Sequence, residues 1–522
     1  MRVIVGGILF WISIFGYLLL IKKKTKLPYE FVLPLVFTGI GVIMFISGIL
    51  NMMIEFSLLI CFSGILLFIY YLIKKEYNFK MIFNFNFILL FIIFLYITIL
   101  CKDMNLMHYD NFSHWGLIVK SMFINNKLPN FESIIEFKDY QPGSACFIYY
   151  FCLFVGKSEG NMIIAQNYLL IAYFFSLLFI TNGKKKINYL FKFLIIVGYL
   201  FVLFGNIQFY DLLVDTLIAV ISICSIVIFY YFKDDLKKAF IYTLPLSIYL
   251  FLVKNMGIIL VGFNCLILIY LGIKNKSLKK GFIYAIFTGI ISVLVFYVWS
   301  KHVSYVYSLG SLASKHALSP HNILGMLEGK GIDGIIKFVN IYFNHFCDIA
   351  NNRPNLYMLG INVIFIIIML IYKKYRKEIL KYLIISDVFY LLYYAILGIM
   401  YIMSMPWDEA KILAGFDRYM LTMIFIIIGI LFVCIMDILK RDNKNYKVSY
   451  VVVSLIIVLG LYFNYGIRNF KIFVGDQGYI GSTADKFDNI LGTDMNYDIF
   501  NDAYYYVYAP KMASNQKSLL YY

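Results

Sequence analysis

Apolar residues along the chain fall into runs of about twenty, separated by short polar breaks. Inside the runs neither a 3.6-residue nor a two-residue alternation marks off a wet face, so soluble elements and a membrane barrel are both disfavoured. The pattern predicts an all-α polytopic membrane protein with spans at 3–21, 31–51, 56–73, 82–101, 160–182, 188–208, 212–231, 239–253, 256–273, 281–300, 356–372, 379–402, 419–437 and 448–467, which is about fourteen helices, with twelve as the lower count. Two stretches fit the pattern less simply. Residues 145–155 are apolar but too short to span, and predict a helix lying in or dipping into one interface. The run 239–253 is also short, so Lys254 and Asn255 form either the tip of a helical hairpin or the break in one long helix.

Composition agrees with this picture, with 62% of the 522 residues apolar and 14% charged. The net charge of +17 raises the question of a nucleic-acid partner, which the placement of the charges answers. Alternating through the spans gathers loops 22–30, 74–80, 184–186, 233–238, 274–280, 373–381 and 438–447 on one side, with 26 Lys and Arg against 6 acids. The long segments 102–143, 301–355, 403–418 and 468–522 gather on the other, with 16 against 17. Such asymmetry is the positive-inside signature, so the lysine-rich loops are expected in the cytoplasm and both chain ends outside. The same count favours the hairpin at Lys254. The basic clusters hug helix ends facing anionic lipid, and no nucleic acid is required.

The first run ends in Lys22-Lys23-Lys24 without a cleavage pattern, which reads as an uncleaved helix. Eight scattered cysteines contain no C-x-x-C pair, indicating neither a disulfide framework nor a zinc site. No phosphate-binding glycine loop is present. The expected organisation is a transmembrane domain over 1–467, with outer loops 102–159, 301–355 and 403–418, followed by a tail at 468–522. That tail holds eight tyrosines and six aspartates, suited to stacking on sugar rings or to packing as a small cap.

All six histidines fall in or beside the predicted outer loops, and the most informative stretch is "HYDNFSHWG" at 108–116. From Asn111 to Phe123 apolar positions recur at helical spacing, with Asp110 where an N-cap would stand, predicting an amphipathic helix on the membrane surface. Asp110 and His114 then share its first turn. A carboxylate there stays ionised and can accept a proton from a sugar hydroxyl, although simple capping is an equal reading. In "FKDYQPG", Asp139 and Tyr140 precede a turn into 145–155. In "PWDEAKILAGFDRYM", Glu409, Asp417 and Arg418 close the loop 403–418, where Arg418 could hold a lipid phosphate or pair with Asp417. Lys254 could also meet phosphate, or only snorkel. Asp211 and Asp215, four apart in "FYDLLVDTL", share one face and need partners or water.

These features in this order resemble the GT-C glycosyltransferases, membrane enzymes that transfer sugar from a polyprenyl-phosphate donor to an acceptor outside the membrane. The resemblance rests on "HYDNFSHWG", on "YQPG" with Gln141 in place of the first proline of the family's turn, and on "FDRYM", also similar to proteins encoded with surface-polysaccharide synthesis in Gram-positive bacteria. It implies a multi-pass bacterial plasma-membrane enzyme with an outward-facing active site. Asp110 would be the general base, Asp103 the lesser candidate, and His114 would orient the carboxylate or contact the phosphate. Arg418, helped by Lys254, would bind that phosphate, with Trp115, Asp139, Tyr140, Asp417, Glu409 and Arg353 completing the substrate-binding set. Transfer would invert the anomeric centre. Some members use a divalent metal, but only Asp103, Asp110 and His114 could serve here, so no metal or other cofactor is expected. The implied partners are the lipid-linked donor, a glycan or teichoic-acid-like acceptor, and membrane lipid.

Two other classes fit in part. A polymerase or ligase of the O-antigen type would use loop 301–355, with His316, His321, His345 and Arg353. A lipid-linked glycan flippase would need charges inside the bundle and two related halves, which the sequence does not show.

Overall fold

The computed structural model describes residues 2–75, 85–106, 108–131, 133, 135, 137, 139–181, 211–306 and 320–441. The predicted spans 188–208 and 448–467, the tail 468–522 and His316 lie outside the described residues. Within them every regular element is helical. In chain order these are α1 (Arg2–Thr25), α2 (Tyr29–Ile49), α3 (Met53–Ile73), α4 (Phe85–Cys101), α5 (Tyr109–Ser113), α6 (Trp115–Asn125), α7 (Gly143–Val155) and α8 (Glu159–Phe174), the last continuing as a 3-10 turn over Phe175–Thr181. After the gap come α9 (Asp215–Tyr231), α10 (Leu236–Val253), α11 (Gly257–Lys274), α12 (Leu278–Val306), α13 (Pro320–Cys347), α14 (Arg353–Ile371), α15 (Arg376–Ser404), α16 (Trp407–Ala410) and α17 (Phe416–Arg441).

Ten of the described helices are long and apolar enough to cross a membrane, and the chain is a multi-pass membrane protein. Two predicted spans, 82–101 and 212–231, appear as the shorter apolar helices α4 and α9. Close packing relies on small residues where helices touch, as expected when lipid offers apolar side chains no advantage over a neighbour. Gly16 of α1 lies so close to the backbone of Gly64 of α3 that a methyl group there would overlap it. Beside this contact Ser13 and Tyr17 both donate to the Ile60 carbonyl, at 3.3 and 2.8 Å.

Three expectations need correction. The surface helix over 111–123 is instead two helices, α5 and α6, broken at His114 (φ −153°, ψ −61°). Six residues of α6 besides Trp115 are buried, so it packs into the protein rather than lying on a membrane. Asp110 is not the N-cap: that position belongs to His108, whose Nδ1 accepts the Asp110 backbone N–H at 3.1 Å. The imidazole can take the capping role because its acceptor nitrogen reaches the first-turn N–H that an aspartate or serine oxygen usually satisfies.

Loop 301–355 also departs from expectation, since it holds the extension of α12 and all of α13. Gly331 (φ +61°) bends α13, a conformation that favours glycine. Phe338 and Tyr342 bury against α15, while Ile332, Ile336, Val339 and Phe343 face outward. Amphipathic spacing of this kind was present in the sequence, but the scattered histidines and glycines made the segment resemble a loop.

The short helix α7, which covers 145–155, packs into the bundle, every side chain from Ala145 to Cys152 being buried. Phe147 meets Phe37 of α2 and Phe151 meets Phe10 of α1, with ring centroids 4.8 and 5.0 Å apart. At its start the Gly143 carbonyl accepts the Tyr249 hydroxyl of α10 at 3.0 Å. Lys254 and Asn255 occupy the turn between α10 and α11, which pack on each other as a hairpin.

Candidate functional site

The turns that begin α5, α9, α11 and α17 converge on one cluster of charges. Arg418, in the first turn of α17, donates through Nη1 to Asp110 Oδ2 at 2.6 Å, across 308 residues of chain. Its Nε stands 3.6 Å from Asp215 Oδ2. Lys254 donates to the other oxygen of Asp215 at 2.5 Å. Both cations lie against the Tyr419 ring, Lys254 Nζ at 4.8 Å and the Arg418 guanidinium carbon at 5.3 Å from its centre. Each charge therefore has an opposite neighbour, as intramembrane or interfacial charges require.

Hydrogen bonding at the cluster is nonetheless incomplete. Among the described residues Nε of Arg418 has no acceptor within bonding distance, and neither Asp211 Oδ2 nor Asn111 Nδ2 has a partner. Asp211 is fully buried ahead of α9, its other oxygen accepting the Leu213 N–H at 2.8 Å. Burial, helped by the nearby negative charges of Asp110 and Asp215, raises its carboxyl well above the usual range.

Burial alone would also raise the Asp110 carboxyl, but Arg418, His114 and His108 outweigh it and hold the group below its ordinary value. Asp110 is thus ionised. Its second oxygen lies 3.8 Å from His108 Nδ1, leaving lone pairs for an incoming hydroxyl. His114 behaves differently: burial, with the charges of Lys254 and Arg418, pushes it down to about 3, Asp110 opposing. It is a neutral imidazole bonded to Ser113 Oγ at 2.7 Å and cannot act as an acid at neutral pH. His114 sits 4.8 Å from the Trp115 ring and 4.7 Å from Tyr140, which stacks on Phe137 at 5.1 Å. These rings form an aromatic wall beside the carboxylate.

The turn before α7 is fixed from two sides. Trp299 Nε1 donates to the Asp139 carbonyl at 2.8 Å, and Gln141 bonds to Asn255 in the α10–α11 turn. The glutamine that replaces proline in "YQPG" thus ties this turn to the loop carrying Lys254.

Of the residues expected at the site, Asp110, His114, Trp115, Tyr140, Lys254 and Arg418 come together, and Asp139 contributes through its backbone. Asp103 does not join them: its side chain is 84% exposed and its ion pair is with neighbouring Lys102 at 3.6 Å. Arg353 is exposed at the start of α14, and His345 packs edge-on against Phe416 at 4.8 Å. Asp417 and Glu409 lie near Tyr401 rather than on Arg418, whose acidic partners are Asp110 and Asp215. The cluster adds Asp215, Asp211, His108 and Tyr419 to the expected set. The four-residue spacing of the two aspartates in a predicted span was the available signal, but it named no partner. Among the described residues no group of His, Cys, Asp and Glu is arranged to hold a metal ion.

No protein-family model, curated protein or solved structure matches this chain.

Proposed function

We propose that the protein is a glycosyltransferase that moves a sugar from a polyprenyl-phosphate donor to a cell-surface glycan acceptor on the outer side of the membrane. One observation carries this: an ionised carboxylate with spare acceptor capacity, Asp110, is bonded to an arginine at the mouth of a membrane span, with a second cation beside it. A base and an anion-binding pair at one helix mouth are what this reaction needs. Asp110 accepts the proton of the acceptor hydroxyl as its oxygen bonds to the anomeric carbon. The bond from that carbon to the phosphate oxygen breaks on the opposite face, and the phosphate leaves with the electron pair. Attack opposite the leaving group inverts the centre. Arg418 and Lys254 stabilise the charge that grows on the departing phosphate, Arg418 by two-point contact. His114, neutral and boxed by rings, positions the short helix carrying Asp110 rather than moving a proton.

The polymerase reading would centre on α13 and its approach, whose described histidine His345 and exposed Arg353 are not bonded to the cluster. The test is the composition and linkage of surface glycan in cells carrying Asp110→Asn, with protein abundance measured in parallel. Loss of one sugar substituent at normal abundance supports transfer by Asp110, and an unchanged glycan overturns it.

A further inference from the structure

The geometry points to a base that the donor itself switches on: the phosphate of the lipid-linked donor takes the Arg418 guanidinium away from Asp110, and only then is the carboxylate freed of its counter-charge to take the acceptor's proton. This rests on the function proposed above and concerns the regulation of the same site.

Arg418 is shared unevenly. Its Nη1 is committed to Asp110 at 2.6 Å, whereas its buried Nε has no acceptor among the described residues, Asp215 standing 3.6 Å off. Asp215 does not depend on Arg418, because Lys254 holds it at 2.5 Å. An arriving phosphate therefore meets a guanidinium whose side chain is 30% exposed, with one carboxylate to displace. Two-point contact with phosphate is the geometry a guanidinium fits best. Both cations lie against the Tyr419 ring, side by side at the same mouth.

The exchange leaves Asp110 next to added negative charge and without its main counter-charge. Both changes make a carboxylate more basic. In the resting site the pairing keeps Asp110 a poor base, since a carboxylate held below its ordinary value has little tendency to take a hydroxyl proton. Donor binding before acceptor activation follows, and a water molecule entering the empty site meets an inactive base. Hydrolysis of the donor is suppressed as a consequence.

Binding of a polyprenyl phosphate to the purified full-length protein in detergent tests this, with inorganic phosphate and an uncharged polyprenol as controls. If Asp110 competes for Arg418, Asp110→Asn binds the polyprenyl phosphate more tightly than the wild type, by about tenfold. Arg418→Gln then loses the binding. Affinity in Asp110→Asn that is unchanged or weaker overturns the exchange while leaving the proposed function standing. No binding of polyprenyl phosphate by the wild type overturns both. Inorganic phosphate binding as well as the lipid form assigns the competing ligand as free phosphate and also overturns the donor switch. A measurement on the wild type guards against misfolding of the variant: carbodiimide labelling of Asp110 is expected to rise when polyprenyl phosphate is added. Labelling that stays constant at saturating ligand counts against the exchange.

Discussion

Two ion clusters sit at opposite ends of α17, and their difference separates a site from a clamp. At the lysine-rich end Asp437 accepts from Arg441 at 2.6 Å and from the Tyr230 hydroxyl, with Lys233 at 3.9 Å. Arg441 also reaches Glu378 at 2.8 Å. These contacts fasten α9, α15 and α17 together, and Asp437 and Arg441 are one helical turn apart on a single helix. The other cluster is assembled from four separate turns and retains, among the described residues, a donor on Arg418 and an oxygen on Asp211 without partners. A clamp saturates its groups because unsatisfied buried polar atoms cost stability. Keeping some unsatisfied is sensible where a ligand completes them.

The largest expected contrast is in transfer. Asp110→Asn should lower it by about a hundredfold to ten-thousandfold per protein molecule, measured with membranes and a radiolabelled lipid-linked donor. Asp437→Asn should leave transfer per folded molecule unchanged, so an equal loss in both variants would erase the distinction. Next comes Arg418→Lys, which keeps the charge and loses the fork, with an expected loss of about tenfold to a hundredfold.

Stability reverses the order of the clusters. Asp437→Asn should cost about 1–3 kcal/mol, read as a lower midpoint of thermal unfolding in detergent. Tyr230→Phe, which removes one hydrogen bond to the same carboxylate, should cost about 1 kcal/mol.

The pH profile gives the sharpest test. His114 and His108 are both held below the ordinary histidine value by burial, so the unfolded chain binds their protons more readily. Their contribution is complete above the unfolded value and is lost as pH falls through the folded values, about 3 for His114. Stability should decline as the medium is acidified from pH ~6.5, by at most about 1.4 kcal/mol per unit for each histidine. His114→Gln should flatten that slope, and a slope identical to the wild type would remove the buried imidazole from the account.

Much of the architecture was legible from periodicity. Ten of the predicted spans correspond to helices long enough to cross, because twenty apolar residues leave a helix little choice in lipid. Half of the cluster was legible for a local reason: Asp110, Lys254 and Arg418 stand where spans meet polar turns, and charged residues at such boundaries invite attention. The partnerships were not. Arg418 chooses Asp110 over adjacent Asp417 because chain direction at the mouth of α17 aims it inward, and pairing over 308 residues leaves no trace in spacing. The break at His114 escaped notice because the apolar spacing continues on both sides of it. Asp211 and Asp215 were visible as acids needing company, but their company, Lys254 and Arg418, comes from helices far along the chain.

The buried half-helix α7 also has a consequence for biogenesis. It is thirteen residues long, too short to enter lipid as a span, and its walls include α1 and α2, made before it, and α10, made roughly eighty residues after it. A methyl group on Gly143 would come within 2.5 Å of the Leu252 carbonyl oxygen, so a larger residue there would push α7 and α10 apart. The consequence falls on assembly rather than on chemistry: a seam between an early-made segment and a later-made helix closes only while Gly143 stays bare.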